Sequence, residues 1–447
     1  MVSRYILFGL FSTASYFFPG LATGNQISSA VKSRFDKDDG YVYPNLYQEA
    51  DHMLSCAQII YSLAAMRDLE WNQEALVKEG KPPLVKLKDS DYLRPKVDPE
   101  TGFFFDGLSI PELAMYIGEN EEEIKKDKEF YKSFGPALKS ISKLAGPKEG
   151  KSVRTREIIY IDDSQGDEKE IVYSVSIDKK KKRIILCFRG TTTTSDMLQD
   201  ARINLRVSKL PYVKKEVSVH TGFYDYLFND EKHQANFGGI AEQANKYEAI
   251  LYKIKPILKA NQTFKLYVTG HSLGASLSSL FAFVASQDPE LPKPVSCVSI
   301  ASTYVGGASW RDSFQAAERA GDIRYLRVSN TVDVIPHGPP FDLRLKLYKH
   351  VGINLRLRKE KFFSSKPTWS LHFPTGAVMN ELGNAIRNNC ITNFALVPSR
   401  ILFMHGCPEY HRRLEYSRDE LNKLSLNDIY EDYFKTSSKT SNKNSEL

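Results

Sequence analysis

The amino-acid sequence predicts an α/β protein in which a mostly parallel sheet carries helices on both faces. Strand-like runs and amphipathic helical runs alternate from about residue 154 onwards. One apolar run, Phe264–Val268, ends in a glycine-flanked turn that leads directly into a long helical pattern. The composition, 42% hydrophobic and 26% charged over 447 residues, is that of a globular protein with a sizeable core.

Residues 1–24 have the pattern of a targeting segment. Arg4 precedes a short apolar stretch, and small residues follow near Ala22. This order predicts a cleaved signal peptide or a signal anchor, with an ordinary buried helix as the alternative. Pro19 interrupts the stretch, and a spanning helix needs about 20 apolar residues, so a full span is disfavoured. We therefore expect a secretory-pathway protein, secreted or membrane-associated.

Residues 25–145 are predicted to form a mainly helical N-terminal region. One helix presents an apolar face that must pack on another element. The residues of that face are Leu46, Ala50, Met53, Leu54, Ala57, Ile60, Tyr61 and Ala64. A second helix is predicted over Asp106–Glu129. No chemical constellation is visible in this region, and its role stays open.

From about residue 146 to residue 415 the sequence predicts the α/β domain itself. Three strands come first, with an exposed hairpin turn at Lys179–Lys182 between the second and the third. The predicted strands are Glu157–Ile161, Ile171–Ile177, Arg183–Phe188, Val295–Ala301 and Ile323–Val328, and the predicted helices lie over Tyr247–Leu258 and Ser309–Ala320. Residues 416–447 are predicted to form a helix and then a polar tail, disordered from about Ser437.

The turn Gly270-His271-Ser272-Leu273-Gly274 predicts a nucleophile elbow. In this strand–turn–helix context, a G-x-S-x-G sequence holds a serine in a strained conformation at the tip of a strand, with its hydroxyl exposed. The flanking glycines avoid collisions with neighbouring backbone. Ser272 is therefore the candidate nucleophile.

A serine nucleophile needs a histidine base and a carboxylate that orients the histidine, here in the chain order Ser, acid, His. Asp333 is the best candidate acid because it follows a strand at the end where α/β sheets hold their sites. Asp322 lies at the opposite end of that strand, and Asp342 is the runner-up. The pattern does not choose among the candidate bases, which are His350, His372, His405 and His411.

The tetrahedral intermediate also requires donors for its oxyanion. The backbone N–H of Leu273, directly after the serine, is one natural donor. The loop Gly190-Thr191, at the end of an earlier strand, is predicted to supply the second, with the Thr191 hydroxyl as an additional donor.

These motifs together resemble the class 3 (fungal-type) lipase family of the α/β-hydrolases. The segments that carry the resemblance are Phe188-Arg-Gly-Thr191, His220-Thr-Gly-Phe223, Val268–Ala275, Tyr304-Val-Gly306, Asn330–Pro336 and Tyr348–Gly352. The resemblance implies an α/β-hydrolase fold, Ser272 as nucleophile, Asp333 as acid, and Thr191 and Leu273 as oxyanion donors. It implies His405 as base, with Tyr410 following it, while His350 and His411 are the alternatives. Ala301–Tyr304 departs from the family pattern.

The family resemblance implies a serine lipase that hydrolyses acylglycerol esters without a metal or an organic cofactor. The alternatives are a phospholipase A1 or galactolipid lipase, and a non-catalytic lipase-like scaffold. The expected partner is a lipid substrate at a membrane or lipid-droplet surface. The dispersed net charge of +7 shows no nucleic-acid-binding pattern.

Three weaker features complete the sequence-based predictions. The five cysteines lack a C-x-x-C spacing, which leaves one bridge open, with Cys390 and Cys407 as the nearest candidates. Ser195–Leu205 is either a lid or an ordinary surface helix. The basic stretch Arg344–Lys366 is interpreted as a solvated loop, with attraction to anionic headgroups as the alternative.

Overall fold

The structure, a computed structural model, describes part of the chain, and side chains are described over most of that part. The described residues are 43–61, 96–97, 104–105, 157–162, 173–178, 181–190, 204–229, 245–338, 342–358, 368–373 and 403–443. The predicted targeting segment 1–24, the predicted helix 106–129 and Thr191 lie outside these residues. They stay predictions.

A mixed sheet organises the described residues. Its eight described strands are β3 (Glu157–Asp162), β4 (Tyr173–Asp178), β5 (Arg183–Phe188), β8 (Lys265–His271), β9 (Val295–Ile300), β10 (Ile323–Asn330), β11 (Ile353–Leu357) and β12 (Trp369–His372). They are ordered β12-β11-β10-β9-β8-β5-β4-β3. The five central strands, β11 to β5, run parallel, and antiparallel pairs form at both edges. Two further described ribbons pair β1 (Lys96–Val97) with β2 (Phe104–Phe105), and β6 (Leu205–Ser208) with β7 (Val217–His220).

Helices cover both faces of the sheet. They are α1 (residues 46–61), α2 (Thr221–Phe228), α3 (Lys246–Ala260), α4 (Leu273–Gln287), α5 (Ala308–Ala320), α6 (Cys407–Tyr416), α7 (Arg418–Leu421) and α8 (Leu426–Lys443). Residues of α2 to α5 join one apolar cluster with β5, β8 and β9. Residues of α1, α6, α7 and α8 join a second cluster with the opposite side chains of the same strands. This arrangement is the α/β-hydrolase architecture that the sequence predicts, with the N-terminal helix also present.

The N-terminal helix α1 is part of the sheet's second face. Leu46, Ala50, Met53 and Leu54 are completely buried. They pack against strand side chains such as Val298. The predicted apolar stripe therefore has its partner, and that partner is the α/β sheet, so α1 contributes to the same core as the site-bearing strands.

Several predicted boundaries differ from the structure in detail. Helix α8 continues to Lys443, past Ser437, where the sequence predicts a disordered tail. Leu205, predicted at the end of a lid or surface helix, is buried and begins strand β6, while residues 195–203 lie outside the described residues. Arg356, predicted in a solvated basic loop, is buried because it belongs to strand β11.

Two findings concern covalent links and membranes. Cys407 carries a free thiol, so the Cys390–Cys407 bridge left open by the sequence does not form. Within the described ranges, no helix combines the length and the apolar composition that a bilayer span demands.

Candidate active site

The nucleophile elbow lies at the carboxyl end of β8. Ser272 separates β8 from α4 and has φ 59° and ψ −127°, a combination that costs a non-glycine residue strain energy. Its N–H donates to the Ile300 carbonyl of β9 at 2.9 Å. A Cβ on Gly270 would lie 2.4 Å from the Gly274 carbonyl oxygen, and one on Gly274 would lie 2.2 Å from that of Phe188. Both glycines are therefore required by close backbone approach.

The Ser272 side chain is buried, with 1% of its surface exposed. The sequence-based expectation of an exposed hydroxyl is therefore wrong for this conformation. The elbow still places Ser272 directly after the last residue of β8, His271.

Asp333 lies in the turn after β10, where the sequence places the acid. One oxygen, Oδ2, accepts hydrogen bonds from His405 Nδ1 at 2.8 Å and from Tyr410 Oη at 2.7 Å. The other, Oδ1, accepts from the Ile335 N–H at 3.0 Å. Burial opposes the charged form, but the attraction of His405 and these hydrogen bonds outweigh it and hold the pKa of Asp333 below its usual value.

His405 is the predicted base that the structure brings to Asp333. Because a carboxylate accepts, Nδ1 carries a hydrogen, and in the neutral ring Nε2 then has the lone pair. His405 Nε2 is buried and has no hydrogen-bond partner within the described structure. A buried nitrogen without a partner is costly in a purely structural histidine. It is what a base awaiting a serine proton presents.

The other candidate bases have different partners. His350 Nε2 lies 2.9 Å from the Pro336 carbonyl oxygen, and its ring stacks on Tyr304. His411 Nδ1 lies 3.3 Å from an oxygen of Asp51 on α1. His372 Nε2 lies 2.9 Å from Ser370 Oγ on the edge strand β12.

The runner-up acids also have other positions. Asp342 caps a turn through both oxygens. Asp322 precedes β10, where its carbonyl oxygen accepts from the Val295 N–H. Neither stands in the position of Asp333, at the sheet edge that holds Ser272.

One predicted oxyanion donor, Leu273, is the first residue of α4. Backbone N–H groups in a helix's first turn have no intrahelical partner and favour a negative charge. Thr191 is outside the described residues, but its neighbour Gly190 is described. A Cβ on Gly190 would lie 2.6 Å from the His271 carbonyl oxygen and 3.1 Å from Ser272 Cβ. The predicted oxyanion loop thus passes directly beside the nucleophile.

Sequence reasoning missed two residues of this site, Tyr61 and His271. His271 Nε2 lies 2.8 Å from the His405 carbonyl oxygen, and its Nδ1 lies 3.0 Å from Tyr61 Oη. A carbonyl oxygen only accepts, so Nε2 carries the hydrogen and Nδ1 accepts from the Tyr61 hydroxyl. Tyr61 Oη also packs against Gly190, where a Cβ would lie 2.3 Å from it.

These hydrogen bonds connect helix α1 to the backbone of the base, and Tyr61 packs against the oxyanion loop at Gly190. Burial, together with the neighbouring His405, lowers the pKa of His271 to about 3, so the ring is neutral near pH 7. The only sequence signal for Tyr61 was its place on the apolar stripe of α1, which indicates burial but not a partner 210 positions away.

No metal centre is found in the described part of the chain, because no three His, Cys, Asp or Glu side chains are grouped to hold an ion. The expectation that catalysis needs no cofactor stays a prediction.

The sheet order, the elbow and the buried Asp333–His405 pair define an α/β-hydrolase. Residues 185–343 match the family model described as lipase (class 3). Over that segment the chain is similar to the class 3 lipases, in agreement with the resemblance of its motifs. The matched segment contains Ser272 and Asp333 and ends before His405.

Relatives with assigned names are similar over the same part of the chain. Phospholipase A1-IIgamma of Arabidopsis thaliana is 28% identical over 185 residues, which is 38% of this chain and 41% of that protein. A lipase of Rhizopus niveus is 30% identical over 166 residues, 36% of each chain. The chain therefore spans about two fifths of the length of the first curated relatives it matches.

Solved structures of lipases match about half of the chain with low TM-scores. The match to lipase II from Rhizopus niveus covers 49% of this chain and 70% of that lipase, with 24% sequence identity and a TM-score of 0.36. A triacylglycerol lipase from Penicillium expansum covers 46% and 70%, with 20% identity and the same TM-score. The fold assignment does not use these TM-scores and rests on the strand order of the sheet.

Proposed function

We propose that this protein is a serine hydrolase that cleaves carboxylic ester bonds of acylglycerols. The observation that carries the proposal is the buried Asp333 carboxylate between His405 Nδ1 and Tyr410 Oη, at the sheet edge that holds Ser272. The unpaired His405 Nε2 and the strained Ser272 backbone support it. The class 3 lipase match supports a lipid ester as the substrate.

In the proposed mechanism, His405 Nε2 takes the Ser272 hydroxyl proton while the serine oxygen attacks the ester carbonyl. Asp333 stabilises the imidazolium through the Nδ1–H bond. Leu273 N–H and Thr191 stabilise the oxyanion. The intermediate collapses as His405 protonates the departing alcohol, which leaves an acyl-enzyme on Ser272. Water, activated by His405, then releases the fatty acid and restores the serine.

A phospholipase A1 is the second candidate function. Several relatives at 27–29% identity bear that name, and the same Ser272, Asp333 and His405 would perform the chemistry. The two candidates differ in the group attached to the glycerol, so the pocket and not the triad would decide between them.

The first experiment tests serine hydrolysis itself. A fluorophosphonate probe reacts with an activated serine, so the wild type should be labelled and Ser272→Ala should not. Ser286→Ala is the matched control, because Ser286 is a buried serine of α4, the helix after Ser272, and its Oγ donates to the Phe283 carbonyl. Absence of wild-type labelling would favour the non-catalytic scaffold.

The second experiment separates the substrate classes. Wild type and Ser272→Ala are incubated with triacylglycerol, diacylglycerol, phosphatidylcholine and galactolipid, and fatty acid and lysolipid are quantified. Release from neutral acylglycerols that depends on Ser272 supports the first proposal. Selective production of lysophosphatidylcholine would replace it with the phospholipase A1 proposal.

A further inference from the structure

Asn330, the last residue of β10, contacts three different parts of the candidate active site, and its side chain is completely buried. The side-chain Nδ2 lies 3.2 Å from the Met404 carbonyl oxygen. The backbone N–H donates to Tyr410 Oη, also at 3.2 Å, and the backbone carbonyl oxygen accepts the Asp333 N–H at 3.3 Å. Asn330 therefore contacts the loop of the base, the tyrosine and the turn of the acid at the same time.

The Met404 carbonyl belongs to the peptide group that leads into His405. A carbonyl oxygen only accepts, so the Asn330 amide presents Nδ2 and not Oδ1 to it. The next carbonyl oxygen, that of His405, accepts from His271 Nε2 at 2.8 Å. Two successive carbonyls of the base's backbone are thus held by side chains from the last residues of β10 and β8. These two bonds restrict where His405 leaves the backbone, and hence how its Nδ1 meets Asp333.

Met404 is also held at its sulfur atom. Arg413 of α6 is completely buried and donates from Nη2 to Met404 Sδ at 3.6 Å and from Nη1 to Thr331 Oγ1 at 3.4 Å. Its Nε donates to Glu409 Oε1 at 2.7 Å, which compensates the buried charge. Thr331 directly follows Asn330. The loop of the base is therefore connected to the end of β10 twice, once directly and once through Arg413.

The backbone N–H of Asn330 decides where the Tyr410 hydroxyl points. A peptide N–H only donates, so Tyr410 Oη accepts from it and directs its own hydrogen to Asp333 Oδ2, 2.7 Å away. The same Oδ2 accepts from His405 Nδ1. Asn330 thus acts on both hydrogen bonds at this oxygen, through the direction of one donor and the backbone of the other.

The amide oxygen of Asn330 adds an independent observation. Oδ1 is buried and has no hydrogen-bond partner within the described structure. A buried acceptor without a partner destabilises a fold, and most buried side-chain oxygens are paired for that reason. The side chain is therefore a poor purely structural element. The bond that it does make is the one that holds the backbone of the base.

We propose that Asn330 is a positioning residue for the reaction of Ser272, Asp333 and His405. It acts through Met404 and Tyr410 and not on the substrate. Its amide holds the backbone of His405 where Nδ1 reaches Asp333, and its N–H keeps the tyrosine hydrogen directed at the same carboxylate. This inference rests on the proposed function and extends it beyond the triad and the oxyanion donors.

The test compares rates of fluorophosphonate labelling for the full-length wild type, Asn330→Ala and Asn330→Asp. Asn330→Ala removes the donor to Met404, and a misplaced His405 should slow labelling about ten- to a hundredfold. In Asn330→Asp the introduced carboxyl is buried, so its pKa is raised, and near about pH 6 it keeps an O–H that donates to Met404. Near about pH 8 it ionises and the donor is lost.

The pH profile therefore separates positioning from a structural role. Wild-type labelling should become faster between these two pH values, because His405 must be neutral to accept the serine proton. Labelling of Asn330→Asp should become slower over the same range. Steady-state kinetics on a soluble ester should show a lower kcat for Asn330→Ala with KM nearly unchanged.

Asn261→Asp is the matched control. Asn261 Nδ2 also donates to a backbone carbonyl, that of Ile257 at 2.9 Å, but it lies between α3 and β8, at the opposite end of β8 from Ser272. This variant should melt at a lower temperature and be labelled at the wild-type rate. Wild-type rates for both Asn330 variants, or parallel pH profiles of Asn330→Asp and the wild type, would overturn the inference. An unlabelled wild type would instead overturn the proposed function on which it rests.

Discussion

Tyr61 and His271 show how single side chains connect distant parts of the site. Tyr61 Oη is a donor to His271 Nδ1 and packs against Gly190 of the oxyanion loop. His271 Nε2 then reaches the carbonyl oxygen of His405. The directions follow from the carbonyl oxygen, which only accepts, so His271 Nε2 donates and Nδ1 accepts. These contacts connect helix α1 to the backbone of the base and place Tyr61 against the oxyanion loop.

Removing the Tyr61 hydroxyl should impair catalysis without removing any reacting group. Tyr61→Phe leaves His271 Nδ1 unpaired in a buried site, and we expect kcat to fall about tenfold with KM nearly unchanged. Steady-state kinetics on a soluble ester would measure both. Tyr252→Phe, at an exposed position, is the control. A lower melting temperature with an unchanged kcat would contradict a positioning role.

Helix α1 shows how an element outside the predicted α/β domain becomes part of it. Glu49 of α1 forms a buried ion pair with Arg324 of β10, with a distance of 2.5 Å between Oε1 and Nη2. Arg324 also donates to Asn427 of α8 at 2.8 Å. The pair therefore connects two covering helices to the central sheet, whereas the apolar stripe of α1 supplies the area of contact.

Glu49→Ala should destabilise the fold strongly. The change leaves the Arg324 guanidinium buried without its anion, which typically costs about 3–5 kcal/mol. Glu49→Gln keeps an acceptor oxygen and should cost less. Urea unfolding measures both. Glu290→Ala, which breaks a pair in which the glutamate is 71% exposed, should cost below about 1 kcal/mol. If Glu49→Ala and Glu290→Ala lowered the free energy of unfolding equally, the buried pair would not stabilise the fold more than an exposed pair does.

Buried histidines make the whole molecule sensitive to acid. Burial lowers the pKa of His220 and of His337 to about 4, and that of His350 falls well below its usual value. Between pH 6.5 and pH 4 these rings are neutral when folded and protonated when unfolded, so the unfolded state binds more protons. The free energy of unfolding therefore falls as pH decreases through that window. Glu318, whose pKa burial raises to about 7, acts in the opposite direction.

His220→Asn isolates one of these contributions. His220 Nδ1 accepts the Gly222 N–H at the start of α2, and asparagine can make the same cap without titrating. We expect the loss of unfolding free energy between pH 7 and pH 5 to shrink by up to about 2 kcal/mol. Urea titrations at both pH values measure this difference. A pH dependence equal to that of the wild type would show that His220 does not contribute.

The parts of the fold that depend on local pattern could be predicted from the sequence. Strands β5, β9 and β10 and helices α3 and α5 lie within a residue or two of their predicted bounds. The elbow is also local, since its glycines avoid backbone within a few residues and on the adjacent strand. Asp333 was predictable because it follows β10 at the end where parallel strands present their loops.

The position of the base could not be decided in the same way. Four late histidines were compatible with the chain order, and the family resemblance favoured His405. The tertiary contact between His405 and Asp333, 72 positions apart, agrees with that choice. The roles assigned to Ser272, Asp333 and His405 in catalysis stay proposals that the labelling experiment tests.

By itself the sequence determined the α/β class, the elbow at Ser272 and the class 3 lipase resemblance, because each depends on residues that are neighbours along the chain or on one strand. Tertiary structure alone decided that α1 shares the core of the sheet and that Tyr61 lies against Gly190 and His271, and it supplied the contact of His405 with Asp333 that the resemblance only implied. The physical reason is that these contacts join residues more than 70 positions apart, and no local periodicity or turn preference records which distant side chain will fill a buried site.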